Sequence, residues 1–171
     1  MFVLVLMLMP ALDLVSGPQP GKKFGPYTFL MATGPNRGTS HCYVCETGDD
    51  PAIIILARST SEPLGELARQ VDKELSKQKK LRGWITFVGM PQPSKEPELV
   101  KWSRTLGLRF LPLGIFESQA GPPGYKLHSD ADLTILLVKE SKVVHNFAYP
   151  VKGLTTADNK KIVDLLNRLI K

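Results

Sequence analysis

Cysteine is scarce, with two residues in a chain of 171. That excludes a scaffold built on disulfides, the usual device of small secreted domains without a sufficient core. Acidic side chains are also in short supply, 16 against 22 Lys and Arg, leaving a net charge of +6. No apolar run reaches the about 20 residues that a membrane helix needs, which excludes a multi-pass membrane protein. Internal repeats, heptads and a collagen-like glycine period are missing. So are Gly-x-Gly-x-x-Gly, a phosphate loop and Gly-x-Ser-x-Gly, and with them the usual signatures of dinucleotide binding, nucleotide hydrolysis and serine-hydrolase chemistry.

What is there fits one globular domain. Hydrophobic residues make up 43% and aromatics 8%, enough for a packed core and too apolar for a disordered chain. Residues 1–15 are apolar except for Pro10 and Asp13, and Ser16 and Gly17 follow as small residues. That pattern reads as an export signal over 1–17, although no Lys or Arg precedes the apolar run. The expected location is secreted or periplasmic, with no stable membrane span once the signal is removed. Residues 18–23 (Pro-Gln-Pro-Gly-Lys-Lys) read as a linker, and the domain is expected over 24–171.

Within the domain, residues 27–32 and 40–45 are short extended runs around a Gly-Pro-Asn-Arg-Gly turn, an N-terminal hairpin. Residues 52–57 (Ala-Ile-Ile-Ile-Leu-Ala) are apolar on both faces and read as a central strand. Leu64, Leu67, Ala68, Val71 and Leu75 recur at helical spacing behind Pro63, and the helix is expected to run to about Lys79. Residues 84–88 give the next strand. A helix follows from Pro97 with Leu99, Trp102 and Leu106 on one face, and Gly107 ends it. Residues 113–116 form a short strand, and 133–138 with 142–147 form an antiparallel hairpin. Thr155 and Asp158 resemble a capping box for a last helix. Trp84 and Trp102 are expected core residues.

The β-α-β of residues 52–88, and the strand, turn, strand and helix from Leu133 to the end, resemble the two halves of a thioredoxin fold. The resemblance implies an α/β, thioredoxin-like three-layer fold: a central mixed sheet, helices on both faces, and an N-terminal hairpin extension. The whole chain also resembles a group of exported bacterial thioredoxin-like proteins, in which a CxxC-type segment precedes the first core strand. In that group a Gly-Pro-x-Gly-Tyr-Lys segment, here Gly121 to Lys126, precedes the hairpin.

Two departures from thioredoxin matter. Thioredoxins hold their CxxC after the first core strand, where the helix N-terminus stabilises a thiolate. In this chain that place is Thr60-Ser61-Glu62-Pro63. Thioredoxins also place a cis-proline just before the hairpin strand. Leu133 takes that position here, and a non-proline cis bond costs about 3 kcal/mol.

The cysteines stand elsewhere, as Cys42-Tyr43-Val44-Cys45. Three readings are open. The pair is a redox dithiol that exchanges disulfides with a protein partner, with Cys42 attacking, Cys45 resolving and His41 favouring the thiolate. It is a structural pair that pins a turn or lies buried. Or it supplies two ligands to a metal, with His41 as a third, short of the four that zinc normally takes. The segment looks extended, and Cα atoms three residues apart on a strand are about 10 Å apart. That is too far for a disulfide, so a bond requires a turn there.

A runner-up function is a non-catalytic binding module on the same fold. No cofactor is expected. Arg69, Lys73 and Lys77 fall in one helical row, read as a solvated face, and no aromatic residues interleave with them to stack bases, so no nucleic-acid partner is expected. His128, Asp130 and Asp132 form a loop cluster suited to turn chemistry, with metal or acid–base work as the sharper alternative. His145 is expected at a strand edge.

Overall fold

The computed structural model describes residues 14–89 and 94–171. The apolar core of the expected export signal lies mostly outside the described residues. The elements, in chain order, are β1 (Phe29–Met31), β2 (Ser40–His41), α1 (Tyr43–Thr47), β3 (Ala52–Ala57), α2 (Glu62–Lys77), β4 (Arg82–Val88), α3 (Glu96–Leu106), β5 (Leu113–Phe116), β6 (Leu133–Lys139), β7 (Lys142–Tyr149) and α4 (Thr156–Ile170).

The seven strands form one sheet in the order β2-β1-β5-β4-β3-β6-β7. β3, β4 and β5 run parallel, whereas β6 lies antiparallel to β3, and β7 antiparallel to β6. β3 is central and fully buried along its length, as its unbroken apolar run requires. The N-terminal hairpin joins the opposite edge through antiparallel pairing of β1 with β5. Phe29 lies over Gly114 there, and a Cβ at Gly114 would come within 2.2 Å of the Phe29 ring.

The long helices start and stop where their caps dictate. Ser61 accepts the Leu64 N–H at the start of α2. Gly107, at φ 71°, takes the left-handed conformation that closes α3. Thr155 and Asp158 make the reciprocal capping box of α4. All three helices pack on one face of the sheet, with Leu64, Leu67, Val71, Leu99, Ile162 and Leu166 set against Ile53, Ile55, Ile85 and Ile135.

The other face carries the second core, around Trp84, Ile54, Leu56 and Leu136. Its cover is α1, the N-terminal segment through Phe24 and Tyr27, and the crossover of residues 117–132 through Tyr125 and Leu127. The three layers are therefore present, and the second outer layer is largely irregular chain. Tyr125 is 1% exposed and fastens that crossover by donating to the Gly25 carbonyl at 2.9 Å.

The segment before Phe24 is bound to the body. Ser16 is 1% exposed, and its hydroxyl lies 2.7 Å from that of Thr134 and accepts the His128 N–H at 3.0 Å. Asn146 donates to the Ser16 and Pro18 carbonyls. Gly21 and Lys22 exchange backbone hydrogen bonds with Val143 along the outer edge of β7. Among the described residues, no helix is long and apolar enough to cross a membrane.

Candidate functional site

The second arm of the N-terminal hairpin ends at His41. The expected extended run through Cys45 is instead a single helical turn, α1. Cys42 caps it in an extended conformation, and its sulfur accepts the Cys45 N–H at 3.2 Å. Thr47 ties the turn by donating its hydroxyl to the Tyr43 carbonyl at 2.8 Å. This turn draws the two Cα atoms to 5.4 Å, and Cys42 and Cys45 are joined as a disulfide. Cys45 is exposed and Cys42 partly so.

The two residues between the cysteines face inward. Tyr43 stacks on Trp84, with ring centroids 5.5 Å apart and planes 25° apart. It also meets the edge of His41 at 4.5 Å. Trp84 in turn donates its indole N–H to the Tyr27 hydroxyl at 2.9 Å, and that hydroxyl also bonds Thr86. Burial pushes the Tyr27 phenol up to about 12, against the lowering effect of those two hydrogen bonds. Burial, with the nearby Glu46 carboxylate, also raises Tyr43 above the ordinary tyrosine range, opposed by a hydrogen bond from Asn36. His41 lies 3.2 Å from Glu46, and its ring nitrogens contact the Asn36 side-chain amide. Thus His41 and Glu46 flank the disulfide in sequence and meet each other in space.

The turn stands at the amino end of the parallel strands. Asp50 pairs with Arg82, the first residue of β4, at 3.4 Å, and the Gly48 and Asp49 carbonyls accept from Ser141 and Glu140 in the β6–β7 turn. The thioredoxin-type place, Thr60 to Pro63, follows the carboxyl end of β3. The disulfide and that place are at opposite ends of the same strand.

At the carboxyl end, polar groups fasten the chain to itself. Arg58 donates to the carbonyls of Ala131 at 2.9 Å and Gln119 at 2.7 Å, clamping the 117–132 crossover to the end of β3. Ser59 donates to both carboxylate oxygens of Asp132 at 2.9 Å. His128 Nδ1 accepts the Asp130 N–H at 3.1 Å, which is turn chemistry. The three residues of that loop cluster do not converge on one point. Among the described residues, no group of three His, Cys, Asp or Glu side chains is arranged to hold a metal ion.

The other candidates fall into plain roles. Arg69, Lys73 and Lys77 lie on the exposed side of α2, with Lys77 paired to Glu74 at 2.8 Å. His145 is half-buried on edge strand β7 and stacks on Phe147. Trp84 is fully buried; Trp102 is partly buried and meets Phe87 edge-on at 5.8 Å.

A cavity of about 300 Å³ opens beside α1, lined among others by Tyr43, Glu46, Lys79, Arg82, Arg109 and Phe110. Sequence reasoning missed Arg109 and Phe110, which belong to the connection between α3 and β5 and reach the cysteine turn only through the fold. Of the basic residues that follow α2 in sequence, Lys79 and Arg82 line the cavity.

No protein-family model matches the chain, and no curated protein matches it in sequence. Solved structures match the fold. A candidate protein disulfide isomerase from Bacteroides thetaiotaomicron aligns with TM-score 0.70 at 13% identity, over 93% of this chain and 94% of that one. A candidate thiol:disulfide interchange protein DsbE from Chlorobium tepidum aligns with TM-score 0.66 at 13% identity, over 93% of this chain and all (100%) of that one. A secreted disulfide oxidoreductase of Mycobacterium tuberculosis aligns with TM-score 0.57 at 6% identity, over 83% of this chain and 95% of that one. The fold is thioredoxin-like, as the sequence layout implies.

Proposed function

We propose that this chain is an exported thioredoxin-fold protein that exchanges disulfides with protein partners through Cys42 and Cys45. The observation that carries the reading is the bond itself: a disulfide closed across one helical turn, with Cys45 exposed and a backbone N–H directed at the Cys42 sulfur. That N–H favours negative charge on the Cys42 sulfur, which supports Cys42 as the attacking thiol. His41, when protonated, adds to the effect.

The step balances as follows. The Cys42 thiolate attacks one sulfur of a partner disulfide, forming a mixed disulfide and releasing the partner's other sulfur as a thiolate. The Cys45 thiolate then attacks the Cys42 sulfur and releases the partner's second thiolate. The partner's disulfide is reduced to two thiols, and the Cys42–Cys45 bond forms. The reverse sequence oxidises a dithiol partner. Export is supported by the apolar residues 1–15 and by a structural neighbour that is itself described as secreted.

One observation favours a second reading, a structural pair. Tyr43 sits between the cysteines and stacks on Trp84, so the bond also holds an aromatic side chain against the second core. A reduction assay with insulin and a dithiol reductant, run on the wild type and on Cys42→Ser, separates the two. Exchange requires turnover in the wild type and its loss in the variant. Equal rates in both leave the structural role. Cell fractionation tests export.

A further inference from the structure

We propose that the cavity beside the cysteine turn is the docking site for the partner peptide, and that the peptide it fits is an extended segment with carboxylate side chains flanking its cysteine. The inference rests on the exchange reading above and names the substrate class for it.

Placement is the first argument. The residue after Cys42 (Tyr43) and the residue after Cys45 (Glu46) both line the cavity. A peptide joined to the turn by a mixed disulfide therefore lays its flanking residues over this opening.

Charge is the second. The lining carries Lys79, Arg82 and Arg109 against one carboxylate, Glu46. Glu46 already meets His41 at 3.2 Å, and Arg82 already meets Asp50 at 3.4 Å. No ion pair among the described residues engages Lys79 or Arg109. Two free cations at the rim of a cavity complement an acidic ligand and steer its approach.

Rigidity is the third. Phe110 is 54% exposed, the one aromatic among the exposed large hydrophobic side chains of the described residues. Its backbone is not loose, because Asp72 accepts the N–H groups of Arg109, Phe110 and Leu111 at 2.9, 2.7 and 2.8 Å. An exposed aromatic on a pinned backbone, beside an Arg, is the composition of a binding anchor that has little ordering entropy left to lose.

The test uses the oxidised protein and two synthetic peptides with one cysteine each, one with glutamates at the flanking positions and one with glutamines in their place. The rate of disulfide opening is followed by mass spectrometry after acid quench, with dithiothreitol as a small uncharged reductant. The glutamate peptide should react about tenfold faster than the glutamine peptide at low salt, and the ratio should shrink at high salt. In the double variant Lys79→Gln/Arg109→Gln the ratio should fall to about one. Equal rates for the two peptides in the wild type, or a ratio that persists in the double variant, overturn the docking site. If dithiothreitol does not open the bond in the folded protein, the exchange reading fails instead. Binding of the glutamate peptide with serine for cysteine, followed by NMR shifts at residues 79 and 109–111, then decides docking separately. Shifts there uphold it, and none overturn it.

Discussion

The carboxylate of Asp72 accepts the backbone N–H of Phe110 at 2.7 Å, and the same oxygen also accepts from the residues on either side. One side chain on α2 thereby fixes the connection that leads into β5. Asp72→Ala leaves three N–H groups to find water or stay unpaired. The variant should lose about 2 kcal/mol of stability, since hydrogen bonds to charged groups are worth about 1.5–3 kcal/mol each and part of the loss is recovered by hydration. Urea denaturation measures it, and hydrogen exchange should quicken at residues 109–111 before anywhere else.

Reduction of the Cys42–Cys45 bond should alter the emission of Trp84, because Tyr43 inside the disulfide ring stacks on that indole. Cys42→Ser should cost about 2 kcal/mol on the chain-entropy account of so short a loop. A fluorescence titration with reductant checks the first effect and thermal melting the second. An emission spectrum indifferent to reduction would mean that the Tyr43–Trp84 contact does not depend on the bond.

Alkaline pH should unfold the protein abruptly. Tyr27 and Tyr125 are raised by burial, Tyr27 to about 12 and Tyr125 further still. An unfolded tyrosine ionises near pH 10. Both groups therefore contribute stability that is fully present below about pH 10 and is lost as pH climbs toward their folded values, at about 1.4 kcal/mol per pH unit for each. Phenolate absorbance and circular dichroism should change together for these two.

Gly114→Ala places a methyl group against the Phe29 ring, where a Cβ would lie 2.2 Å from Cδ2 and 2.8 Å from the Leu30 carbonyl oxygen. Backbone is among the obstructing atoms, so relief by a rotamer change alone is insufficient. A loss of about 2 kcal/mol or more is expected, with β1 loosened from β5. Strand amide protection in NMR distinguishes local detachment from global destabilisation.

Ser16 should matter to stability although it directly follows the apolar residues 1–15. A chain that begins at Pro18 loses the hydroxyl contacts with Thr134 and His128 and the carbonyl that accepts from Asn146. It should be less stable than a chain beginning at Leu14 by about 1–3 kcal/mol. Parallel melts of the two purified forms give the difference directly, and coincident melts would show that these contacts contribute nothing.

Where information was local, the sequence was readable. Ser61 with Pro63, Gly107, and Thr155 with Asp158 mark helix ends through hydrogen bonds spanning a few residues, and α2, α3 and α4 lie close to where those signals put them. The apolar run of β3 announced its central place. The cysteine turn was misread as extended because Tyr43 and Val44 favour strands, and a five-residue helix has too few positions to show a period. What sustains that helix lies outside its own propensities: Trp84, distant in sequence, stacks on Tyr43, and a bond joins the two sulfurs. Ser16 and Thr134, 118 residues apart, meet for reasons that no window along the chain contains.

β3 is six residues long, which puts about 20 Å between the cysteine turn at one end and Thr60 to Pro63 at the other. The two ends share a strand but no side chains. A contact made with the residues at one end is therefore not a contact with those at the other. Substitutions can also accumulate around Ser59 and Asp132 without touching the sulfurs, so the two ends are free to diverge at separate rates.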